Sequence, residues 1–143
     1  MAHGCIIVMD LDRFEELSKA KGWSEYTPNI ITGTLTLLVE DFIRKHFAVV
    51  IYGLDEIRGT EEVILEIPNY KMEDLNVILE DLENIRRKIE ELGGSISIAI
   101  TFGPISGQPA KNRREAYSNP LRRRALRLLR KAKRSGGNRI VIG

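Results

Sequence analysis

The sequence predicts an α+β sandwich with a ferredoxin-like core, in which helices pack on a mainly antiparallel five-stranded sheet. Three observations carry this prediction. "CIIVMD" (5–10) is a continuous apolar run ending in an acid, the pattern of a buried strand. "KMEDLNVILEDLENIRRKIEELGG" (71–94) spaces its apolar residues helically and stops at a glycine pair. Around these two, strand-like and helix-like segments follow in the order β-α-α-β-β-α-β-α-β.

After the first strand, "LDRFEELSKAKGW" carries Phe14 and Leu17 on one side of a short helix that stops near Gly22. Thr27-Pro28-Asn29 breaks the chain, and "TGTLTLLVEDFIRKHF" (32–47) places Leu35, Leu38, Val39 and Phe42 on one helical face. "AVVIYGLDEIRG" reads as a strand, and "EEVILEIP" as its hairpin partner, ended by Pro68. A turn near Gly59-Thr60 leaves both strands well filled, whereas a turn at Gly53 leaves the first one short. The long helix puts Leu75, Ile78, Leu82, Ile85 and Ile89 in its stripe. "SISIAITFG" (95–103) alternates as a strand, and residues 104–118 are polar and read as a loop. "NPLRRRALRLLRKAKRSGG" (119–137) is a basic amphipathic helix with Leu121, Ala125, Leu128, Leu129 and Ala132 on its apolar side, and "NRIVIG" closes as a strand.

With 143 residues and 43% apolar composition, the chain reads as a single domain, 1–143, able to close a core without disulfides. Cys5, the only cysteine, lies in an apolar run and reads as a small buried hydrophobe, with a reactive thiol as the alternative. No stretch approaches the ~20 apolar residues of a membrane span, and no signal peptide precedes the first strand, so the expectation is a cytoplasmic chain without a membrane partner. Its richness in Glu, Lys and Arg suits a thermophile. The net charge of +2 is unevenly spread: acids dominate from Asp55 to Glu91, and bases from Lys111 to Arg139. Arg122, Arg123 and Arg124 could attract nucleic-acid phosphates. The packed face of their helix and its lack of interleaved aromatics make a solvated cationic surface the default expectation. Trp23 and Tyr26 could stack on a base or form the core edge. His3 and His46 are not spaced as a metal pair.

Two acidic pairs, Asp55-Glu56 and Glu61-Glu62, are candidates for a carboxylate site. "VMDLDRFEELSKAKG" resembles the opening of the GGDEF family of diguanylate cyclases, D-x-D-x-F-K-x-x-N-D-x-x-G, with Asp10, Asp12, Phe14 and Gly22 in place. "AKRSGGNRIVI" is similar to the family's A-K-x-x-G-R-N-R-V through Ala132, Lys133, Gly136, Asn138 and Arg139. The ferredoxin-like core also underlies the palm of many polymerases and nucleotidyl cyclases, so the resemblance implies a palm domain of nucleotidyl-cyclase type. Gly59-Thr60-Glu61-Glu62-Val63 keeps the spacing from G-G-D-E-F to the strand-ending proline, and Gly53-Leu54-Asp55-Glu56 does not. Asp55 and Glu56 then read as residues of a solvated strand or as partners of lysines, with a contribution to the site as the alternative.

The resemblance implies phosphoryl or nucleotidyl transfer on a purine nucleoside triphosphate. Mg²⁺ (or Mn²⁺) would be held by Asp10 and Glu61 with the Leu11 carbonyl. Glu62 would stand beside the reacting hydroxyl and Lys133 at a phosphate, with Leu11, Phe14, Ser18 and Gly59 around the nucleotide. A homodimer would be needed to join two substrates. The chain also departs from the family. Thr60 replaces the second glycine, Ser18 stands where an asparagine reads guanine, and Gly137 takes the place of a phosphate-binding arginine. "GWSEYTPNIITGT" has no counterpart of G-H-x-x-G-D, and the R-x-x-D signature is absent. The alternatives are a catalytically degenerate nucleotide sensor or subunit, and a hydrolase like the archaeal type III GTP cyclohydrolases, which "WSEYTPNIITGTL" loosely resembles. On the plainest reading, Asp10 and Asp12 only start a helix as caps, and Glu61 and Glu62 are turn residues.

Overall fold

The computed structural model describes residues 3–143. Its strands are β1 (His3–Leu11), β2 (Val49–Tyr52), β3 (Glu62–Ile67), β4 (Ile96–Pro104) and β5 (Ile140–Ile142). Its helices are α1 (Phe14–Lys21), α2 (Ile30–His46), α3 (Leu75–Glu91), α4 (Arg113–Ala116) and α5 (Pro120–Arg134). The strands lie in the order β2-β3-β1-β4-β5. All neighbours are antiparallel except β4 and β5, so the sheet is mixed with one parallel pair.

β1 is the central strand and is covered on both faces, which is why its sequence is apolar without alternation. Cys5, Ile7, Met9 and Leu11 face a core built with α2 and α3, among them Leu35, Val39, Leu82 and Ile89. Ile6 and Val8 face the second core, where Ile64 and Ala99 meet Tyr117, Ala125 and Leu129. Cys5 is fully buried, and desolvation pushes its thiol up to about 12, which makes it an inert hydrophobe. Asn29 starts α2 earlier than the apolar pattern does: its side chain accepts from the Ile31 and Thr32 N–H groups, and the Thr32 hydroxyl accepts from the Asn29 N–H. Among the described residues no helix is long and apolar enough to cross a membrane.

Three local expectations are corrected. First, β2 is short, ending at Tyr52, and the chain loops out over residues 53–61 before β3 begins. The loop is fastened to α2 instead of extending the sheet. Thr60 is fully buried, its N–H donates to the Thr32 carbonyl (3.1 Å), and its hydroxyl lies 2.7 Å from that of Thr36. Gly59 has φ +91°, and a Cβ there would lie 2.2 Å from the Thr32 hydroxyl, so only glycine allows this approach. Asp55 accepts from the Ile57 and Arg58 N–H groups and closes a turn within the loop rather than lying on a strand.

Second, the segment 104–118 contains α4, started by the Asn112 side chain, which accepts from the Glu115 N–H. Third, Arg122 is not part of a cationic surface. It is buried, donating from Nε to Glu66 (2.8 Å) and from Nη atoms to the Ala116 carbonyl (3.2 Å) and the Ser106 hydroxyl (2.9 Å). Glu66 is itself fully buried and accepts from the Gly107 N–H at 2.8 Å. This ion pair ties the long segment before α5 to the sheet.

Candidate functional site

The C-terminal end of β1 and the start of β3 meet at one sheet edge. Asp10 is the cross-strand partner of Glu62, and the Leu11 N–H donates to the Glu61 carbonyl at 3.0 Å. Because side chains alternate along a strand, Asp10 and Glu62 share the α5 face, while the neighbouring pair, Leu11 and Glu61, belongs to the α1 face. The structure therefore brings Asp10, Glu62, Lys133 and the Leu11 carbonyl together, and groups Glu61 with Phe14 and Ser18.

Lys133, near the end of α5, joins the first group. Its Nζ donates to the Leu11 carbonyl (3.1 Å) and to Asp12 Oδ1 (2.8 Å), and lies 3.4 Å from Asp10 Oδ2. Burial pushes the Asp10 carboxyl up to about 6. Lys133 opposes this and the Glu62 charge adds to it. Near-neutral pH thus lies close to the titration of this carboxyl.

Asp12 is not the helix cap that one reading expected. Arg13 occupies the cap position of α1, with no side-chain cap bond. The Asp12 carboxylate points inward and accepts four hydrogen bonds, from Ser95 Oγ (2.6 Å), Ser97 Oγ (2.8 Å), Lys133 Nζ (2.8 Å) and the Asn138 N–H (2.8 Å). Burial alone would raise its pKa, but these donors together hold it below the usual carboxylate value. Gly137 lies against it with φ +70°, where a Cβ would fall 2.6 Å from Asp12 Oδ2. An arginine at 137 would displace this carboxylate.

Two residues of the group escaped the sequence reading. Arg113 Nε donates to both Glu62 oxygens (3.0 and 3.2 Å), and the Tyr117 hydroxyl donates to Glu62 Oε1 (3.3 Å). The Arg113 guanidinium also lies over the Tyr117 ring, 5.0 Å from its centre. Burial, followed by the Glu62 charge, raises the Tyr117 pKa, so this hydroxyl stays protonated and acts as a donor. Both residues come from or adjoin α4, in a stretch whose polar composition gave no helical signal.

On the α1 face, a cleft of ≈ 500 Å³ is lined by Phe14, Ser18, Trp23, Glu25, Thr32 and Glu61, among others. Phe14 and Trp23 stack at 6.1 Å, so Trp23 forms the cleft wall as well as the core edge. Desolvation, then the nearby Glu25 charge, raises the Glu61 pKa. A second cleft of ≈ 530 Å³ runs past Tyr52, Asp55, Arg58, Gly59, Glu62 and Arg113. Glu61 lines both. Tyr26 is exposed beneath Arg58, whose guanidinium is 5.4 Å from the ring centre. Among the described residues no three acids, histidines or cysteines converge as a ready-made metal cage.

No family model matches this sequence, and no curated protein does. Solved structures do. The GGDEF domain of DgcB from Caulobacter crescentus, in complex with c-di-GMP, is 20% identical with a TM-score of 0.59, covering 99% of this chain and 78% of that one. The chain has the fold of a GGDEF domain. The diguanylate cyclase SiaD from Pseudomonas aeruginosa, in complex with its activator SiaC, is 20% identical with a TM-score of 0.62, and this chain spans 50% of its length. A Csm1–Csm4 cassette in complex with cA4 is 13% identical with a TM-score of 0.56, and only 21% of that chain is covered.

Set against the GGDEF pattern, Thr60 in the second glycine position is a buried fastener between hairpin and α2. Thr60→Gly is expected to lower the unfolding free energy by about 1–2 kcal/mol, because the Thr36 hydroxyl loses a partner and the chain gains unfolded-state freedom. Urea denaturation checks this. A loss below about 0.5 kcal/mol, the range of an ordinary surface change, would mean that the loop is held elsewhere.

Proposed function

We propose that this chain is a nucleotide-binding palm domain that acts on a purine nucleoside triphosphate by nucleotidyl transfer, with Mg²⁺ or Mn²⁺. One observation carries the reading: Asp10 and Glu62 stand side by side at a sheet edge, paired with Lys133 and Arg113 respectively, and Glu62 lines a cleft of ≈ 530 Å³. The residues fit a divalent ion of this class. Magnesium commonly takes one or two carboxylates and leaves its other positions to water and substrate phosphates. Asp10 with the Leu11 carbonyl would supply the β1 side. Glu61, by the family resemblance, or Glu62, by the ladder register, would supply the hairpin side. When bound, the ion would neutralise charge developing on the phosphates.

The protein's own groups have distinct tasks in this scheme. Lys133 and Arg113 are cations on either side of the carboxylates, placed to meet phosphate oxygens as substrate charge arrives. Arg113 and Tyr117 orient Glu62, whose Oε2 holds only the longer Arg113 contact (3.2 Å) and would accept a proton from an attacking hydroxyl. Phe14 and Trp23 give the α1 cleft an apolar wall for a base, with Ser18 as its polar reader. A homodimer would be required to join two nucleotides face to face.

The test is pyrophosphate release and product analysis with each nucleoside triphosphate in Mg²⁺ or Mn²⁺. Turnover is expected to fall about 10²-fold or more in Asp10→Asn, comparable to the loss of a single electrostatic transition-state stabiliser. Comparing Glu61→Gln with Glu62→Gln identifies the hairpin ligand. Nucleotide binding without any turnover would sink the enzyme reading and leave the sensor, which the altered base-reading position at Ser18 and the altered phosphate-binding position at Gly137 favour. A ring-opened product without pyrophosphate would favour the cyclohydrolase-like alternative.

A further inference from the structure

The outer face of α5 plays no part in the site above. Arg123, Arg124, Arg127, Arg130, Lys131 and Arg134 are all exposed there. Arg123, Arg127, Arg130 and Arg134 recur at intervals of four, three and four, which keeps them on one helical face, and Arg124 and Lys131 lie beside them. The row is about 17 Å long at the ~1.5 Å rise of a helix.

Elsewhere on the surface, most helix cations are compensated. Lys19 pairs with Glu15, Arg44 with Asp41, Arg86 and Arg87 with Glu83, and Lys88 with Glu91. Among the described residues, none of the six α5 cations forms an ion pair with a carboxylate. Lining up six like charges raises the self-repulsion of the folded chain, and a polyanion relieves it.

Two features decide which polyanion. The apolar side of α5, with Ala125, Leu126, Leu129 and Ala132, is buried against the sheet. The helix therefore has no apolar face to insert into a lipid surface, as an interfacial helix must. No aromatic side chain stands in the row to stack on bases. We infer that the exposed face of α5 binds the phosphate backbone of a nucleic acid without sequence preference. Six cations over the length of the row give about one per 3 Å, close to the ~3.4 Å charge spacing along one strand of a duplex.

Fluorescence anisotropy of the full chain with labelled mixed-sequence RNA and DNA oligonucleotides, across a salt series, tests this. Affinity is expected to fall with salt at a log–log slope of about −4, since each neutralised phosphate contributes about −0.9. Combining Arg123→Gln, Arg127→Gln, Arg130→Gln and Arg134→Gln is expected to cost at least about tenfold in affinity and make the slope shallower by about 3. An equal loss of charge away from α5, through Lys19→Gln, Arg44→Gln, Arg87→Gln and Lys88→Gln, is expected to leave affinity within about twofold, because screening confines such effects to roughly 10 Å. Circular dichroism melting verifies that both variants fold. If the four-arginine variant unfolds, Arg124→Gln with Lys131→Gln takes its place, with a slope change of about 1–2 expected. The inference is overturned by absence of binding at about 50 mM salt, by equal binding of the α5 variant, or by an equal loss in the control. Binding to anionic phospholipid vesicles but not to oligonucleotides would also overturn it, in favour of a membrane.

Discussion

Asp12→Ala is expected to lower the unfolding free energy by roughly 3–5 kcal/mol, the cost of removing one member of a buried charge pair. The effect is large because four donors converge on one carboxylate from the start of β4, the end of α5 and the turn before β5. With Asp12 gone, Ser97 Oγ and the Asn138 N–H lose their acceptor, and Lys133 keeps only the Leu11 carbonyl and the weaker Asp10 contact. The dependence on pH has a definite sign. Because the folded carboxyl is held below its usual value, its contribution is fully present above the unfolded pKa of about 3.9. It is lost as pH falls through the folded pKa. Urea denaturation at neutral pH and near pH 3 measures both effects. A cost near 1 kcal/mol at neutral pH, typical of a single ordinary hydrogen bond, would show that water replaces the carboxylate and that the hub is not structural.

The Glu66–Arg122 pair is expected to show the second large effect, with a characteristic non-additivity. Glu66→Ala or Arg122→Ala alone should each cost roughly 3–5 kcal/mol, since each leaves the other charge buried without a counterion. Glu66→Leu combined with Arg122→Met should recover most of that loss, because an apolar pair of similar volume escapes the desolvation penalty. Arg122 also satisfies the Ala116 carbonyl and Ser106, so the recovery should be incomplete and the segment before α5 should loosen. A double-mutant cycle by chemical denaturation, with hydrogen exchange over residues 104–118, reads both. Additive losses would mean that the two residues act independently and that the segment is anchored by other contacts.

Much of the scaffold was legible from local pattern. The helical spacing of Leu75 to Ile89 and the apolar run 5–10 placed α3 and β1, and the match of Asp10, Asp12 and Lys133 to a known motif pointed to three side chains that the structure brings together. Register was partly legible as well: counting back from Pro68 favoured Glu61-Glu62, and β3 does begin at Glu62. What failed was any inference that needed to know what a side chain would touch. Thr60 looked like damage to a nucleotide-binding turn, and it fastens that turn to α2. Arg122 looked like its exposed neighbours Arg123 and Arg124, yet its place on the inner face of α5 carries it to Glu66. The plain reading of Asp12 as a helix cap fails because its partners, Ser95, Ser97 and Asn138, lie more than eighty residues away in sequence. Arg113 and Tyr117 gave no signal because α4 is a single turn started by one asparagine.

The sequence by itself determined the order of elements apart from α4, and the two-sided burial of β1. These depend on periodicity and chain proximity, which are local. The tertiary structure alone decided which carboxylate is structural and which is accessible, because that depends on donors arriving from distant segments. It also decided that Glu62, rather than Glu61, stands opposite Asp10, since a single step along a strand moves a side chain to the other face of the sheet.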